Sequence, residues 1–313
     1  MKLLLTTIAL LGICTLSAPI SGEQIGRPGT VNYLEGSAYL DGRQLNPRDT
    51  GNIQMNAGDT LRTTTGKAEI LLTPGVFLRL DDGSSVKMIS PDLTPTKVEL
   101  VGGRAAVEVD QLFKQNDLQI TDAGVTTHLV KEGFYEFDAN HPTAMVFQGE
   151  AVVDQGDGRL KNLKEHHEMA LVPGAVLKPA KIDLHEAQDS FYNWSSLRSE
   201  YLAEANNQIA GQYAGAAGFV PGWYWDPYML DYTFVGMGPY WSPFGFGFYP
   251  PWGWYGGVWR GGNYGGRYYG RGGYGARGYA GGYAGHAYAG GGFHGSVGAA
   301  GGGFHGGGGG GHR

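Results

Sequence analysis

Cysteine is almost missing from this chain of 313 residues: Cys14 is the single one. A mature form that lacks residue 14 therefore has no disulfide framework, no cysteine-ligated zinc and no cysteine nucleophile. Long apolar runs are also scarce. After the N-terminal segment, no stretch reaches 18 apolar residues without Gly or Pro, so we expect no further membrane span.

Acidic residues and lysine are absent from residues 260–313, which contain five Arg and 26 of the 56 Gly. A segment that is half Gly buries too little apolar surface to offset chain ordering, so this tail is predicted to be disordered. The rest of the chain has 18 basic and 29 acidic side chains, a net charge of −11. Although RGG occurs at 260–262 and 271–273, this acidic body makes a nucleic acid an unexpected partner.

The N-terminus has the pattern of a secretory signal. Lys2 is followed by an apolar run at 3–16 and then by small residues. That run is short for a membrane span but typical of an export signal. Residues 1–22 are predicted to be a signal peptide cleaved after Gly22, which places the protein in the periplasm, on the cell surface or outside the cell. An uncleaved anchor is left open, whereas Ile13 before Cys14 disfavours lipidation.

Residues 30–178 alternate between apolar and polar side chains, with turn residues every 8–12 positions. This period of two is typical of half-buried β-strands. No helical pattern interrupts the segment, so we predict an all-β domain, an antiparallel β-sandwich or β-roll. Asp82 and Gly83 stand between two alternating runs and predict a hairpin there.

Two further segments follow the β-region. Residues 183–210 place apolar side chains three and four apart, which predicts one amphipathic helix ending near Gly211. Residues 211–259 are an arm rich in Trp, Tyr, Pro and Gly. This arm either wraps the β-domain and buries its Trp side chains, or forms an exposed surface for a partner. The candidate partner-binding residues are Trp223, Trp225, Trp241, Trp252 and Trp254.

Residue patterns for chemistry are weak. His166 and His167 lack a recognised metal-ligand spacing, and the four His of the tail are spaced too widely for a defined site. Gly295 and Ser296 stand in a G-x-S-x-G-like context only within the tail, where no base could be held in place. We therefore predict no catalytic residues, no metal site and no cofactor.

Several strand-and-turn motifs resemble the FecR domain. They are GDTLRT at 58–63, GKAEILL at 66–72 and FLRLDDGS at 77–84, followed by similar patterns at 100–109 and 146–153. The resemblance covers about half of the chain and implies an extracytoplasmic all-β module. In signalling members, this module passes a message from an outer-membrane receptor to a cytoplasmic anti-sigma domain. Only Met1 and Lys2 precede the apolar run, so no anti-sigma domain is expected in this chain.

The sequence thus predicts a non-enzymatic, exported binding or scaffold protein of the bacterial cell envelope. Its expected partner is an envelope protein or a surface polysaccharide, and no integral membrane span is expected after removal of the signal. The alternative is an extracytoplasmic signal-sensing module that acts with a separate membrane protein.

Overall fold

The computed structural model describes residues 26–254, except 155, 157, 158, 176 and 217. The predicted signal peptide (1–22) and tail (260–313) lie outside the described residues. The described part belongs to one compact unit. It contains two large β-sheets, one long helix and two short hairpins, which confirms the all-β prediction with one principal helix.

Strands are numbered in chain order. The eight-stranded sheet is named sheet A. In spatial order it consists of β1 (Val31–Leu34), β5 (Ala68–Leu71), β6 (Val76–Leu80), β9 (Arg104–Val109), β12 (Gly133–Asp138), β13 (Thr143–Gln148), β16 (His167–Ala170) and β17 (Ala180–Lys181). Neighbouring strands in this sheet are antiparallel.

The nine-stranded sheet is sheet B. In spatial order it consists of β15 (Leu160–Lys164), β14 (Glu150–Asp154), β11 (Val125–Leu129), β10 (Leu118–Asp122), β8 (Thr96–Gly102), β7 (Ser85–Pro91), β4 (Thr60–Thr63), β2 (Ala38–Leu40) and β3 (Arg43–Gln44). Strands β8 and β10 are parallel, in contrast to the purely antiparallel arrangement expected. The chain leaves sheet B after β8, forms β9 in sheet A and returns to sheet B at β10. Strands β8 and β10 therefore run in the same direction.

Two glycine-containing turns move the chain between the sheets. The Asp82–Gly83 turn joins β6 of sheet A to β7 of sheet B, so the hairpin predicted there is wrong. The turn chemistry is as expected, since Gly83 has a φ of +62°, but a turn does not dictate which strands pair. Gly103, at φ +74°, links β8 to β9, and a Cβ there would collide with Ser84.

The main core lies between the two sheets. Leu78, Val107 and Tyr135 from sheet A pack in one buried cluster with Val98 and Ile120 from sheet B. These side chains occupy alternate positions of their strands, as the period of two predicts.

The second face of sheet A is buried too, although a half-buried sheet was predicted. Every residue of β5 and β6 is buried. The cover consists of helix α2 (Ser190–Gln212) and the hairpin of β18 (Gly222–Asp226) and β19 (Asp231–Val235). A second short hairpin, β20 (Tyr240–Trp241) with β21 (Gly247–Phe248), adds Tyr240 and Phe248 to the same cluster.

The predicted helix at 183–210 is two helices, α1 (Leu184–Ala187) and α2, and α2 continues past Gly211 to Gln212. Asp189 separates them because its carboxylate accepts hydrogen bonds from Phe191 N and Tyr192 N, at 2.9 and 3.1 Å, and so caps α2. Short 3₁₀ helices occupy Pro47–Asp49 and Pro251–Trp254.

The buried face of α2 also differs from the predicted apolar stripe. Leu197 and Tyr201 have the three- and four-residue spacing that predicted the helix's apolar face, but both are exposed. Arg198, Ser199 and Asn206 are buried instead. The reason lies in sheet A, whose covered face carries charged side chains that need polar partners.

Candidate functional site

Charged side chains line the covered face of sheet A. Glu69 and Arg79 lie opposite each other on β5 and β6, and Arg79 Nε donates to Glu69 Oε2 at 2.8 Å. Arg79 Nη1 also donates to Glu108 of β9. All three side chains are fully buried. Their charges are therefore compensated by one another rather than by water.

Helix α2 contributes polar side chains that bond to these buried charged groups. Arg198 Nη2 donates to Glu69 Oε1 at 3.0 Å and to Asp231 Oδ2, on β19, at 2.8 Å. Ser199 Oγ donates to Glu108 Oε1 at 2.6 Å. The Arg198 guanidinium also lies over the Tyr33 ring, 4.1 Å from its centroid. One arginine thus links the sheet, the helix and the β18–β19 hairpin.

The two acidic partners of Arg198 differ in their pKa values. Burial acts to raise the pKa of Glu69, but the Arg198 and Arg79 guanidiniums outweigh it and hold this pKa at about 2. Burial raises the pKa of Asp231 to about 6, because Arg198 offsets the loss of hydration only in part. Near neutral pH this network therefore carries buried ion pairs that hold elements together.

A second ionic cluster fixes the start of α2. Arg104 of β9 donates to Asp189 Oδ2 at 2.6 Å and, through Nε, to Glu136 Oε1 of β12 at 2.9 Å. Asp81 lies 3.5 Å from the same guanidinium. Burial raises the pKa of Glu136 to about 7, although Arg104 acts against this rise.

The five candidate tryptophans differ in the exposure of their side chains. Trp223 is 4% exposed and packs edge-on against Phe77, with ring centroids 5.0 Å apart, so it cannot contact a partner in this fold. Trp225 is partly buried against Tyr232. Trp241 and Trp252 are 57% and 46% exposed. Trp254 ends the 3₁₀ helix Pro251–Trp254, and its side chain lies outside the described part.

The aromatic arm thus buries some of its Trp side chains and exposes others. Gly51, at φ +80°, packs directly under the Trp225 ring, and a Cβ there would collide with it. The arm covers sheet A with Trp223 and leaves Trp241 and Trp252 outside. Sequence reasoning missed four other exposed apolar side chains in the described part of the arm: Val220, Tyr228, Leu230 and Met237. The sequence could have indicated that Tyr228 is exposed, because it follows Pro227 in a turn between two aromatic strands.

An aromatic pocket lies at one edge of the cover. It has a volume of about 160 Å³ and is formed by sheet A, both helices and the turn between β20 and β21. Its lining includes four rings, of which five pairs have centroids 4.8–5.5 Å apart and two, Phe134 and Phe147, are buried: Phe134, Phe147, Tyr192 and Phe244. Its polar lining is Gln148, Glu165, His166 and Gln188.

His166 is held at the rim by its backbone. It adopts a left-handed conformation, at φ +60°, in the turn before β16. Its N–H donates to Val146 O at 2.7 Å, and its carbonyl accepts from Ile182 N at 3.1 Å. The sequence suggested no role for this pocket, because its residues lie far apart along the chain and only the fold brings them together.

In the described part of the chain, no helix combines the length and apolar character needed to cross a membrane. Across the same residues, no group of three or more His, Cys, Asp or Glu side chains is placed to hold a metal ion.

No protein-family model matches the chain, and no curated protein matches it. Two crystal structures, at 1.65 and 2.50 Å, of a protein described as a "putative anti-sigma factor" from Parabacteroides distasonis are distantly similar. Each has 13% sequence identity and a TM-score of 0.35. The alignment covers 41% of this chain and 62% of that protein. At this TM-score, the likeness assigns neither a family nor an activity to the chain.

Proposed function

We propose that the protein is a non-enzymatic binding or scaffold protein of the bacterial cell envelope. It holds an envelope protein or a surface polysaccharide through aromatic side chains of its C-terminal segment. The observation that carries this proposal is the exposure of Trp241 and Trp252 in a segment that buries the rings of Trp223, Tyr232 and Phe234. Large exposed apolar side chains in such a setting mark interaction surfaces.

Export to the envelope rests on the leader pattern at 1–22. In the periplasm or on the cell surface, a binding protein meets the two partner classes that we propose.

A non-enzymatic role fits the place of the charged side chains. Glu69, Arg79, Glu108 and Arg198 are buried and hydrogen-bonded to one another or to Ser199. Groups engaged in this way hold the helix to the sheet and are not accessible to a substrate. A general acid or base must reach the proton that it transfers.

A second candidate function is an extracytoplasmic signal-sensing module that acts with a separate membrane protein. The strand motifs at 58–63, 66–72 and 77–84 favour it, through their resemblance to the FecR domain. This function places the partner surface within residues 30–178, outside the two covered faces of sheet A. It predicts a single stoichiometric protein partner whose binding is indifferent to Trp241 and Trp252.

The test compares the full-length protein with a double variant, Trp241→Ala and Trp252→Ala, expressed in the native host. We expect the fraction retained by washed envelopes to fall about tenfold, because exposed Trp side chains commonly dominate binding energy. The matched control is Leu160→Ala, which removes an exposed apolar side chain from sheet B. Equal retention of the double variant and the native chain would contradict binding through this surface.

A further inference from the structure

We propose that β15, the outer strand of sheet B, binds an extended acidic segment of a partner protein by strand addition. In this mode of binding, a peptide pairs with a free sheet edge through main-chain hydrogen bonds. The inference goes beyond the contact surface at Trp241 and Trp252, because β15 belongs to sheet B and binds through its backbone. Two observations support it: the direction of the β15 backbone groups and the charge of this edge.

The hydrogen bonds of β14 show which β15 groups face outward. Val130 N donates to Glu150 O at 3.0 Å, so Glu150 directs its carbonyl group towards the side of β11. Successive residues of a strand direct their backbone groups to opposite sides. Ala151 and Val153 of β14 therefore bond to β15, on the other side.

The outward groups of β15 follow from this pattern. Leu163 and Lys161 lie opposite Ala151 and Val153 and bond to them. The alternate residues direct their N–H and C=O groups away from the sheet; they are Leu160, Asn162 and Lys164. Among the described residues, no backbone group of another segment bonds to them on that side. β15 thus offers donors and acceptors at the spacing that an added strand requires.

The other edges of the two large sheets are shorter or already paired. At one end of sheet A, β1 bonds to the loop that follows, since Val31 N donates to Ile53 O and Gly51 N donates to Val31 O, both at 2.8 Å. The remaining end strands, β17 and β3, have two residues each. Native proteins usually shorten or cover such edges. β15 has five residues and keeps its edge open.

The charge of this edge favours an acidic partner. Residues 159–164, RLKNLK, contain three basic side chains and no acidic one, although the chain before the tail has a net charge of −11. Lys161 is exposed and lies opposite Val153, so no acidic side chain faces it across the pair.

Lys164 has only a shared acidic neighbour. It lies opposite Glu150, whose carboxylate is 2.6 Å from Lys131 Nζ. Opposite charges on neighbouring strands stabilise pairing and like charges destabilise it, so an added strand with Asp or Glu beside Lys161 and Lys164 fits this edge. Lysine on an edge strand also opposes pairing between two copies of the same chain.

The experiment uses the full-length protein and a labelled synthetic peptide of about eight residues in which Glu and Val alternate. Fluorescence polarisation measures the Kd, which we expect to be about 100 µM or tighter. The same peptide with Lys in place of Glu should bind at least about tenfold more weakly, because like charges meet at the edge. Equal affinity for the two peptides overturns the inference, as does no binding of the Glu peptide at about 1 mM.

Asn162→Pro and Asn162→Ala are the matched pair that locates the site, because the five Arg of residues 260–313 also attract an acidic peptide. Both variants remove the Asn162 side chain, but only proline removes the outward N–H group. Proline is tolerated on an edge strand where its nitrogen faces solvent. We expect Asn162→Pro to weaken binding about tenfold and Asn162→Ala to leave it within about twofold. Equal Kd values overturn strand addition, and dimers of the native chain that Asn162→Pro abolishes would identify a second copy as the occupant instead.

Amide hydrogen exchange gives a readout at each residue. In the free protein, the N–H groups of Lys161 and Leu163 should exchange slowly and those of Leu160, Asn162 and Lys164 quickly, because only the first two bond to β14. Saturating Glu peptide should slow exchange at the outward three at least about tenfold. Unchanged exchange at these three residues overturns the inference.

A charge-reversal variant tests the partner's chemistry without altering the backbone. Lys161→Glu with Lys164→Glu should abolish binding of the Glu peptide and allow binding of the Lys peptide. The control, Arg43→Glu with Lys114→Glu, makes the same change in net charge at exposed positions outside β15 and should leave both affinities within about twofold. Equal loss in the two variants overturns the inference, because binding would then follow net charge alone.

The tryptophan variant separates this inference from the proposed function. Trp241→Ala with Trp252→Ala should bind the Glu peptide as the native chain does, and so should Leu160→Ala, which keeps its backbone groups. If the tryptophan variant loses envelope retention while Asn162→Pro keeps full peptide affinity, strand addition fails and the proposed function stands. If Asn162→Pro loses peptide binding while the tryptophan variant keeps full retention, the proposed function fails and strand addition stands.

Discussion

Burial controls the protonation of several acidic side chains in this protein. Glu136 is the clearest case, because it is fully buried beside Arg104, which it shares with Asp81 and Asp189. Lost hydration favours the neutral acid and outweighs the Arg104 charge, while the neighbouring Asp189 and Asp81 carboxylates also disfavour a further negative charge. The pKa of Glu136 accordingly rises from 4.5 to about 7.

This rise makes stability depend on pH. Between pH 4.5 and about 7 the folded state binds a proton that the unfolded state releases. The free energy of unfolding should therefore fall as pH rises through this window, by on the order of 3 kcal/mol from Glu136. Glu136→Gln keeps the shape of the neutral acid and should reduce this fall. Chemical unfolding at pH 4.5, 6 and 7.5 measures it.

Asp231 has a pKa of about 6, so it also lowers the free energy of unfolding as pH rises. The quantity compared is therefore the slope of the free energy of unfolding against pH, in Glu136→Gln and in the native chain. Asp154→Asn, which changes a partly exposed carboxylate of sheet B, is the matched control. Parallel pH profiles for Glu136→Gln and the native chain would show that Glu136 is ionised in the folded state across the window.

At the scale of elements, helix α2 is attached to its surroundings by polar groups as much as by apolar packing. Arg198 contacts Glu69 on β5 and Asp231 on β19, and both carboxylates are fully buried. Leu202 and Ala203 supply apolar contacts on the same face of the helix. The helix therefore occupies the position in which its ion pairs and its apolar contacts form at the same time.

Removing this arginine tests the attachment. Arg198→Ala leaves two buried carboxylates without their shared partner, and breaking a buried ion pair in this way costs about 3–5 kcal/mol. We expect the midpoint of chemical unfolding to fall accordingly. Arg43→Ala, which removes an exposed arginine of β3, should change the free energy of unfolding by less than about 0.5 kcal/mol. Equal midpoints for the two variants would mean that the buried pairs contribute no net stability.

At the scale of the whole molecule, the β-region at 30–178 packs one face of sheet A against elements that follow it in the chain. Sheet A buries Leu71 and Phe77 against the cover, and the cover begins only at residue 184. Without it, these apolar side chains and the buried ion pairs of Glu69 would face water. The C-terminal elements are therefore part of the fold rather than an appendage to it.

Truncation tests this dependence. A chain ending at residue 183 should be less stable than one ending at residue 254, because each fully buried Leu or Phe contributes about 1.5–3 kcal/mol. We expect a lower unfolding midpoint and increased binding of a dye that reports exposed apolar surface. Identical midpoints for the two chains would show that the two sheets fold independently of the cover.

Local patterns in the sequence predicted much of the architecture. Alternation gave the strands, since residues 76–80 and 105–109 lie in β6 and β9. Turn residues located the reversals, as at Gly83. Helical spacing located α2, although the Asp189 cap that divides it from α1 was missed. These features could be predicted because each depends on residues close together in the chain.

The candidate site could be predicted only in part. Composition singled out five tryptophans, but exposure depends on what packs over each ring. Trp223 is covered by Phe77 and Phe234, whereas Trp241 belongs to the same segment and is exposed. The pocket was missed, because Phe134 and Phe244 are separated by more than a hundred positions in the sequence.

The sequence by itself determined the class of fold, because the period of two and the placement of turn residues are local properties of the chain. The tertiary structure decided which strands pair, as at Asp82–Gly83, and which side chains are buried. Arg79 and Glu108 have the polar pattern of a solvated face, yet both are fully buried. The physical reason is that burial and ionisation depend on the elements packed above a residue, and here those elements come from the far end of the chain.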